Sequence, residues 1–287
     1  MKDLHILVCC HKPDQVVDNT PYYPIHVGKA NSAHTLPHPG DDEGVNISEK
    51  NPTFCECTGL YWAWKNLHDV QAVGLCHYRR YFDFHGQGKL FLPTVEWKVS
   101  DIDRLNYDIP DKVVEQIKAG KIILSKPESF PCSIGMHYAL YHSSNDWQTL
   151  ERIITKLSGS IYAQAFQTLS RKSNQLSLYN MFIMRKDDFD TYCSWLFPIL
   201  FEVEKQIDIT AYSPYQRRIF GFMAERLMNV WIIANQKEVI HYPVITLRDT
   251  PYKQSRLKYW ISRTGNQLLI NLGKHLGWSS MWNSRID

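Results

Sequence analysis

With 287 residues, 44% of them hydrophobic and 21% charged, the chain is long enough for one large or two small α/β domains and too apolar to be disordered. A net charge of +3 excludes the strongly basic profile of a nucleic-acid binder. Seven cysteines, an odd number without a CxxC pair, speak against a disulfide framework and a zinc knuckle; they predict reduced, mostly buried thiols of a cytosolic protein.

Residues 4–10 form an apolar run that predicts a buried, parallel strand, followed by His11-Lys-Pro13 at its C-terminal end, where open α/β sheets bind ligands. The run is too short for a signal peptide and has no small-residue cleavage site after it. A second strand is expected at 21–28. Residues 29–47, with Asp41, Asp42, Glu43 and Asn46, read as a solvated acidic loop rather than a metal or ribose site. A helix over 54–68 places Leu60, Tyr61, Trp64 and Leu67 on one face and carries Glu56, Thr58, Lys65 and Asn66 as polar members.

The third strand, 70–76, runs into Val73-Gly-Leu-Cys-His-Tyr-Arg-Arg-Tyr-Phe82. Here Gly74 stops the preceding helix, and His77, Tyr78, Arg79 and Arg80 crowd the strand's end. Two adjacent guanidinium groups after a buried strand need an anion. A diphosphate suits them through bidentate charge-assisted bonds; carboxylates of the same chain or solvent serve equally well.

Residues 83–112 read as an irregular flap, 113–119 as a helix and 121–127 as a strand stopped by Pro127. Asp146 stands where it caps a helix over 147–157, and a further helix is expected at 161–169. A strand at 179–184, helices at 189–206 and 217–235, and a strand at 239–244 complete the pattern. From 256 to 278, Leu and Trp alternate with Lys and Arg in a basic amphipathic tail, with Arg248, Lys253, Arg256, Lys258, Arg263, Lys274 and Arg285 against only Asp249 and Asp287. Such a tail lies on an anionic membrane surface, on its own domain or on a partner chain. No run of 18 apolar residues predicts a transmembrane helix.

Common nucleotide and hydrolase motifs are absent, and no Asp-x-Asp follows a strand in the first hundred or so residues except Asp101-Ile-Asp103, which falls in the irregular stretch. A carboxylate-held metal therefore has no strong support.

Four segments, Glu56-Cys-Thr-Gly-Leu-Tyr-Trp-Ala-Trp-Lys-Asn66, Gly74 to Phe82, Tyr179-Asn-Met-Phe-Ile-Met184 with Trp195-Leu-Phe-Pro-Ile-Leu200, and Gly221-Phe-Met-Ala-Glu-Arg-Leu227, occur in order over residues 3–245. They resemble the signature blocks of bacterial capsular and exopolysaccharide glycosyltransferases once grouped as a domain of unknown function. Cys57 departs from that pattern, where an aliphatic residue is expected. The resemblance implies an α/β fold of GT-A-like, Rossmann type: a mixed sheet flanked by helices over 1–248, with a C-terminal amphipathic helical extension over 249–287.

It also implies sugar transfer, of galactofuranose or galactose, from a UDP-sugar to a polyprenyl-diphosphate-linked glycan on the cytoplasmic face of the plasma membrane, with peripheral contact through 250–287 and no nucleic-acid partner. A UDP-galactopyranose or UDP-glucose transferase acting with retention, and a non-catalytic nucleotide-sugar or carbohydrate-binding module, are the rival readings. On the implied mechanism Cys10, His11, Lys12 and Lys65 border the nucleoside. His77, Tyr78, Arg79 and Arg80 grip the diphosphate where metal-dependent relatives keep Asp-x-Asp, so no metal cofactor is expected, although Mn²⁺ or Mg²⁺ stays open. Glu225 is the first candidate for general base, with pairing to Arg226 or Arg218 as its ordinary alternative. Asp146 is the second, with capping as its alternative. His137, Tyr138, His142 and Asn180 are expected at the acceptor.

Overall fold

The computed structural model describes residues 3–88, 92–252, 255–275 and 286. In chain order its strands and helices are β1 (Leu4–Cys10), β2 (Tyr22–His26), α1 (Asn51–Phe54), α2 (Cys57–Asn66), β3 (Ala72–His77), β4 (Arg80–Phe82), β5 (Thr94–Lys98), α3 (Asp111–Lys118), β6 (Ile122–Ser125), β7 (Glu128–Ser129), α4 (Ile134–Tyr141), α5 (Ser144–Gln167), β8 (Gln175–Leu176), β9 (Phe182–Arg185), α6 (Lys186–Gln206), α7 (Ile219–Ala234), β10 (Val239–Tyr242), β11 (Val244–Arg248) and α8 (Arg256–His275). The fold is the expected GT-A-like α/β class, a curled mixed sheet with flanking helices. Of the tail residues singled out in the sequence, Lys253, Leu276, Trp278, Arg285 and Asp287 lie outside the described residues.

The described chain divides into two compact units: residues 1–126, 178–193 and 237–254, and residues 127–177, 194–236 and 255–287. This division by compactness differs from one by sequence character at residue 248, because residues 249–254 stay with the first unit and the amphipathic tail joins the second.

In the first unit β1 lies between two parallel neighbours, β2 and β3. Both faces of β1 are covered, with Ile6 and Val8 on one side and Leu7 and Cys9 on the other, so the strand is apolar throughout instead of alternating. On its far side β3 pairs antiparallel with β9; β9 pairs antiparallel with β6, and β6 parallel with β10. Gly74 allows the close approach of these strands. A Cβ there would sit 2.9 Å from Ile6 Cγ1, 3.0 Å from Ile183 Cγ1 and 3.1 Å from the Phe182 carbonyl oxygen. Packing across the sheet, rather than interruption of a helix, is what this glycine serves.

At its end β3 reverses through Tyr78 and Arg79, with His77 opposite Arg80. β4 then pairs with β11, and β11 with β5. β5 departs from the expectation of an irregular stretch over 83–112. It is short and owes its pairing to β11, which comes some 150 residues later, so no local periodicity announces it. The expected single strand at 239–244 is two strands separated by Pro243, which has no amide hydrogen for the ladder.

The acidic loop is not uniformly solvated. Asp41 is fully buried and accepts from the backbone amides of Gly28 at 2.9 and 3.0 Å and Lys29 at 3.3 Å, and from Ser48 Oγ. Gly28 sits at φ 71°, a left-handed conformation that suits glycine. Asp42 pairs with Lys29 at 3.2 Å.

The second unit is mainly helical. Trp147, Phe166, Phe197, Phe220 and Trp231 are buried in it, each worth about 1.5–3 kcal/mol or more of burial. The two helices expected at 147–157 and 161–169 are both present within α5, separated by a break at Gly159, where φ is 77°. All seven cysteines are free thiols. Among the described residues no helix is long and apolar enough to cross a membrane.

Candidate functional site

The first unit gathers polar groups at the C-terminal ends of β1 and β3. The Tyr78 amide donates to the Cys9 carbonyl at 3.2 Å, the Tyr81 hydroxyl to the Tyr78 carbonyl at 3.1 Å, and the Leu247 amide to the Arg79 carbonyl at 2.8 Å. The turn is thus pinned from three sides. His11 meets the Tyr78 ring edge-on at 5.2 Å between centroids, and Lys12 Nζ lies 5.9 Å from the same ring. Cys10 is buried, donates to the Val8 carbonyl and has its thiol pushed up to about 12 by burial and by Asp14 and Asp18. It is a packing residue at the site's edge and not a nucleophile.

The two arginines have different surroundings. Arg79 Nε donates to Asp14 at 2.7 Å, while its two terminal nitrogens each donate to Asp249 at 3.1 Å. Arg80 makes no ion pair among the described residues; its guanidinium lies 4.7 Å from the centroid of the Tyr179 ring. The alternative left open by the sequence, satisfaction by carboxylates of the same chain, therefore holds for Arg79 and not for Arg80.

His77 Nε2 donates to the Tyr179 carbonyl at 2.6 Å. Tyr179 and Asn180 are consecutive non-glycine residues at φ 78° and 51°. Each such conformation costs on the order of 1–3 kcal/mol and persists where surrounding contacts over-determine it. Here the contacts are His77 on the carbonyl, Thr94 Oγ1 3.2 Å from the Tyr179 hydroxyl, and Asn180 Nδ2 donating to Glu56 Oε1 at 2.6 Å. Asn180, expected at the acceptor, thus belongs with the His77 cluster in the first unit.

Glu56 is the residue that sequence reasoning missed as a site group. It stands immediately before α2 and, beyond Asn180, has no cation partner among the described residues. The signal for it was Glu56 at the head of an aromatic-rich helix, which no local pattern separates from an ordinary polar helical residue. Lys65 is the converse case. It stands nine residues further along, about 13 Å along the helix axis, with its ammonium 3.3 Å from the Trp64 ring centroid. α2 leads on to the start of β3, so Lys65 stands at the end of the helix away from Glu56.

A second group of predicted residues assembles in the other unit. Asp146 is not the helix cap. Ser143 takes that position, and Asp146 in the first turn accepts from the Tyr212 hydroxyl at 3.0 and 2.9 Å. Burial raises its carboxyl above the ordinary range, against the lowering effect of the Tyr212 and Ser143 hydrogen bonds. Burial, the Arg226 charge and His142 hold His137 down at about 4, and its ring packs on Phe130 at 4.1 Å. His142 Nδ1 bonds Gln216 Oε1 at 2.9 Å, and burial lowers this group too. Tyr138 is fully buried beneath the Arg226 guanidinium, 5.1 Å from its ring centroid. Glu225 Oε2 lies 3.3 Å from Arg226 Nη1, the pairing weighed against its role as base.

Asp101 pairs with Arg104 at 3.2 Å, and among the described residues no group of three or more His, Cys, Asp or Glu side chains is placed to hold a metal.

A mixed sheet flanked by helices, with a basic turn at the ends of its central strands, makes this a mixed α/β protein. The chain belongs to the family described as a domain of unknown function (DUF4422), whose model matches residues 5–236. It is similar to the apo structure of the bifunctional glycosyltransferase WbbM, with 31% identity and a TM-score of 0.76 over 88% of its own length. It spans 48% of that chain, about half of its length. No curated protein matches it.

Proposed function

We propose that this chain is a glycosyltransferase that moves a sugar, galactofuranose or galactose, from a UDP-sugar to a polyprenyl-diphosphate-linked glycan in surface polysaccharide assembly. The observation that carries the reading is Arg80. This guanidinium, without a carboxylate partner among the described residues, lies on the ring of Tyr179, whose carbonyl accepts from His77 at the end of β3. Likeness to a glycosyltransferase supports it.

On this reading the acceptor oxygen attacks the anomeric carbon as the bond to the diphosphate oxygen breaks. Arg80 and Lys12 take up the charge of the departing diphosphate, the work a metal ion does elsewhere. Arg79 holds the turn in place. Glu225 is the first candidate to take the acceptor's proton and Asp146 the second, with His137, Tyr138 and His142 as candidate acceptor residues. Glu56, oriented by Asn180, joins the donor-facing residues.

The test is release of UDP from UDP-galactofuranose and other UDP-sugars by the purified protein, with and without acceptor and with excess EDTA. Turnover that survives EDTA is expected. Nucleotide binding without any turnover favours the binding-module reading, and abolition by EDTA with rescue by Mn²⁺ overturns the metal-free diphosphate grip.

A further inference from the structure

We infer that the Glu56 carboxylate is the hydroxyl-accepting group of the donor site, taking O–H bonds from a vicinal pair of hydroxyls on the sugar next to the diphosphate. The inference rests on the proposed glycosyl transfer and adds to it the residue that tells a nucleotide sugar from the bare nucleotide.

Glu56 is half-buried at the head of α2. The first turn of that helix lies against the ends of the central strands: a Cβ on Gly59 would sit 2.7 Å from Val27 Cγ1 and 3.4 Å from Cys9 Sγ. Cys9 stands opposite His77 in the β1–β3 ladder, and the Glu56 charge adds to burial in pushing the Cys9 thiol up. The carboxylate is therefore held at the C-terminal ends of β1 and β3. Asn180 Nδ2, 2.6 Å from Oε1, joins it to the dipeptide Tyr179-Asn180, and Arg80 lies on the Tyr179 ring. A charge that attracts phosphate and one that repels it are thus tied to neighbouring residues.

Four non-glycine residues among those described have a positive φ, and three of them surround this contact: Cys55, Tyr179 and Asn180, at 53°, 78° and 51°. The fourth, Gln236, follows the end of α7, where a left-handed residue is a common helix stop. Cys55, directly before Glu56 at φ 53° and ψ −136°, adopts a conformation otherwise left to glycine. Its amide donates to the Asn51 carbonyl at 2.8 Å, and its carbonyl accepts from Asn51 Nδ2 at 2.8 Å. Strain at three positions outweighs what one hydrogen bond returns. The fold fixes both sides of the Glu56–Asn180 pair, and the group so fixed is one carboxylate.

An ionised carboxylate only accepts hydrogen bonds. Glu56 has no cation partner among the described residues, and it repels a diphosphate. Its remaining acceptor positions suit O–H donors, and a vicinal hydroxyl pair supplies two of them. In a nucleotide sugar such pairs flank the diphosphate on the sugar and on the ribose. His11, edge-on to the Tyr78 ring, belongs to the nucleoside side of the proposed site. Glu56, tied to Tyr179-Asn180, is left for the sugar.

The test is calorimetric titration of the full chain and its Glu56 variants with UDP, 2′-deoxy-UDP, UDP-galactose and UDP-galactofuranose. Glu56→Gln keeps an oxygen for Asn180 and exchanges the second acceptor for a donor. It should bind UDP within about twofold of the parent and the preferred UDP-sugar about 10-fold more weakly, the scale of one charge-assisted hydrogen bond. Glu56→Asp, which keeps the charge and draws it back by one methylene, should show the same split, and it carries the test where the Gln variant fails to fold. Equal weakening of UDP and UDP-sugar that vanishes with 2′-deoxy-UDP would overturn the assignment to the sugar in favour of the ribose diol. Parental affinity of both variants for every ligand would overturn it outright. A parent chain that binds neither UDP nor a UDP-sugar would overturn the glycosyl-transfer reading itself, and the inference with it.

Discussion

Arg79 clasps Asp249, 170 residues later in the chain, through two hydrogen bonds of 3.1 Å, while its Nε holds Asp14 at 2.7 Å. One side chain thus ties the β3–β4 turn to the loop after β1 and to the segment after β11. Its neighbour Arg80 has no such tie. The two arginines should respond differently to removal. Arg79→Ala leaves Asp14 without its cation and should cost about 1–3 kcal/mol, read as a lowered urea midpoint. Any loss of UDP binding should track that loss of stability.

Arg80→Ala should leave the unfolding curve within about 0.5 kcal/mol of the parent. It should weaken UDP binding about 10–100-fold by calorimetry, the scale of one charge-assisted contact to phosphate. Normal UDP affinity in this variant would remove Arg80 from the diphosphate.

Asn180 holds Glu56 from a left-handed backbone. Asn180→Gly keeps that backbone accessible and removes the hydrogen bond; Asn180→Ala removes the bond and adds backbone strain of about 1 kcal/mol. If the Asn180–Glu56 contact serves turnover, both variants and Glu56→Gln should lose activity, with Asn180→Ala alone also losing thermal stability. Equal melting temperatures for the Gly and Ala variants would mean that the left-handed conformation is not maintained in solution.

Gly74→Ala should destabilise the sheet by about 1–3 kcal/mol, because the new methyl meets Ile6, Ile183 and the Phe182 carbonyl within 2.9–3.1 Å. A melt that coincides with the parent's would show that β1 and β9 separate freely around this position.

The second unit should be acid-sensitive through its histidines. His137 is held at about 4 against an ordinary 6.5. Between those values the unfolded chain binds a proton that the folded chain refuses, so stability falls as pH drops from about 6.5 to 4 and is full above 6.5. His142 is lowered in the same direction. Asp146 acts oppositely: its raised carboxyl binds a proton more tightly when folded, so its contribution declines as pH rises from the ordinary 3.8. Urea midpoints between pH 4 and 8 should show a shallower acid limb for His137→Gln. An unchanged limb would mean that His137 is reached by water in the folded state.

Periodicity and apolar runs were enough to place β1, β3, α6, α7 and the amphipathic tail within a few residues, because each signal lies within one element's own window. The same local signals located His77 to Arg80 at a strand end. They did not distinguish Arg79 from Arg80, identical in side chain and adjacent in sequence. The partners that decide between them lie 65 and 170 residues away for Arg79 and on a strained segment near residue 179 for Arg80. Glu56 stayed hidden for the same reason, its partner Asn180 being 124 residues distant. Short-range pattern carries burial and element type because both are properties of neighbouring residues. Which charge remains unpaired is a property of chain closure, and only the tertiary structure decides it.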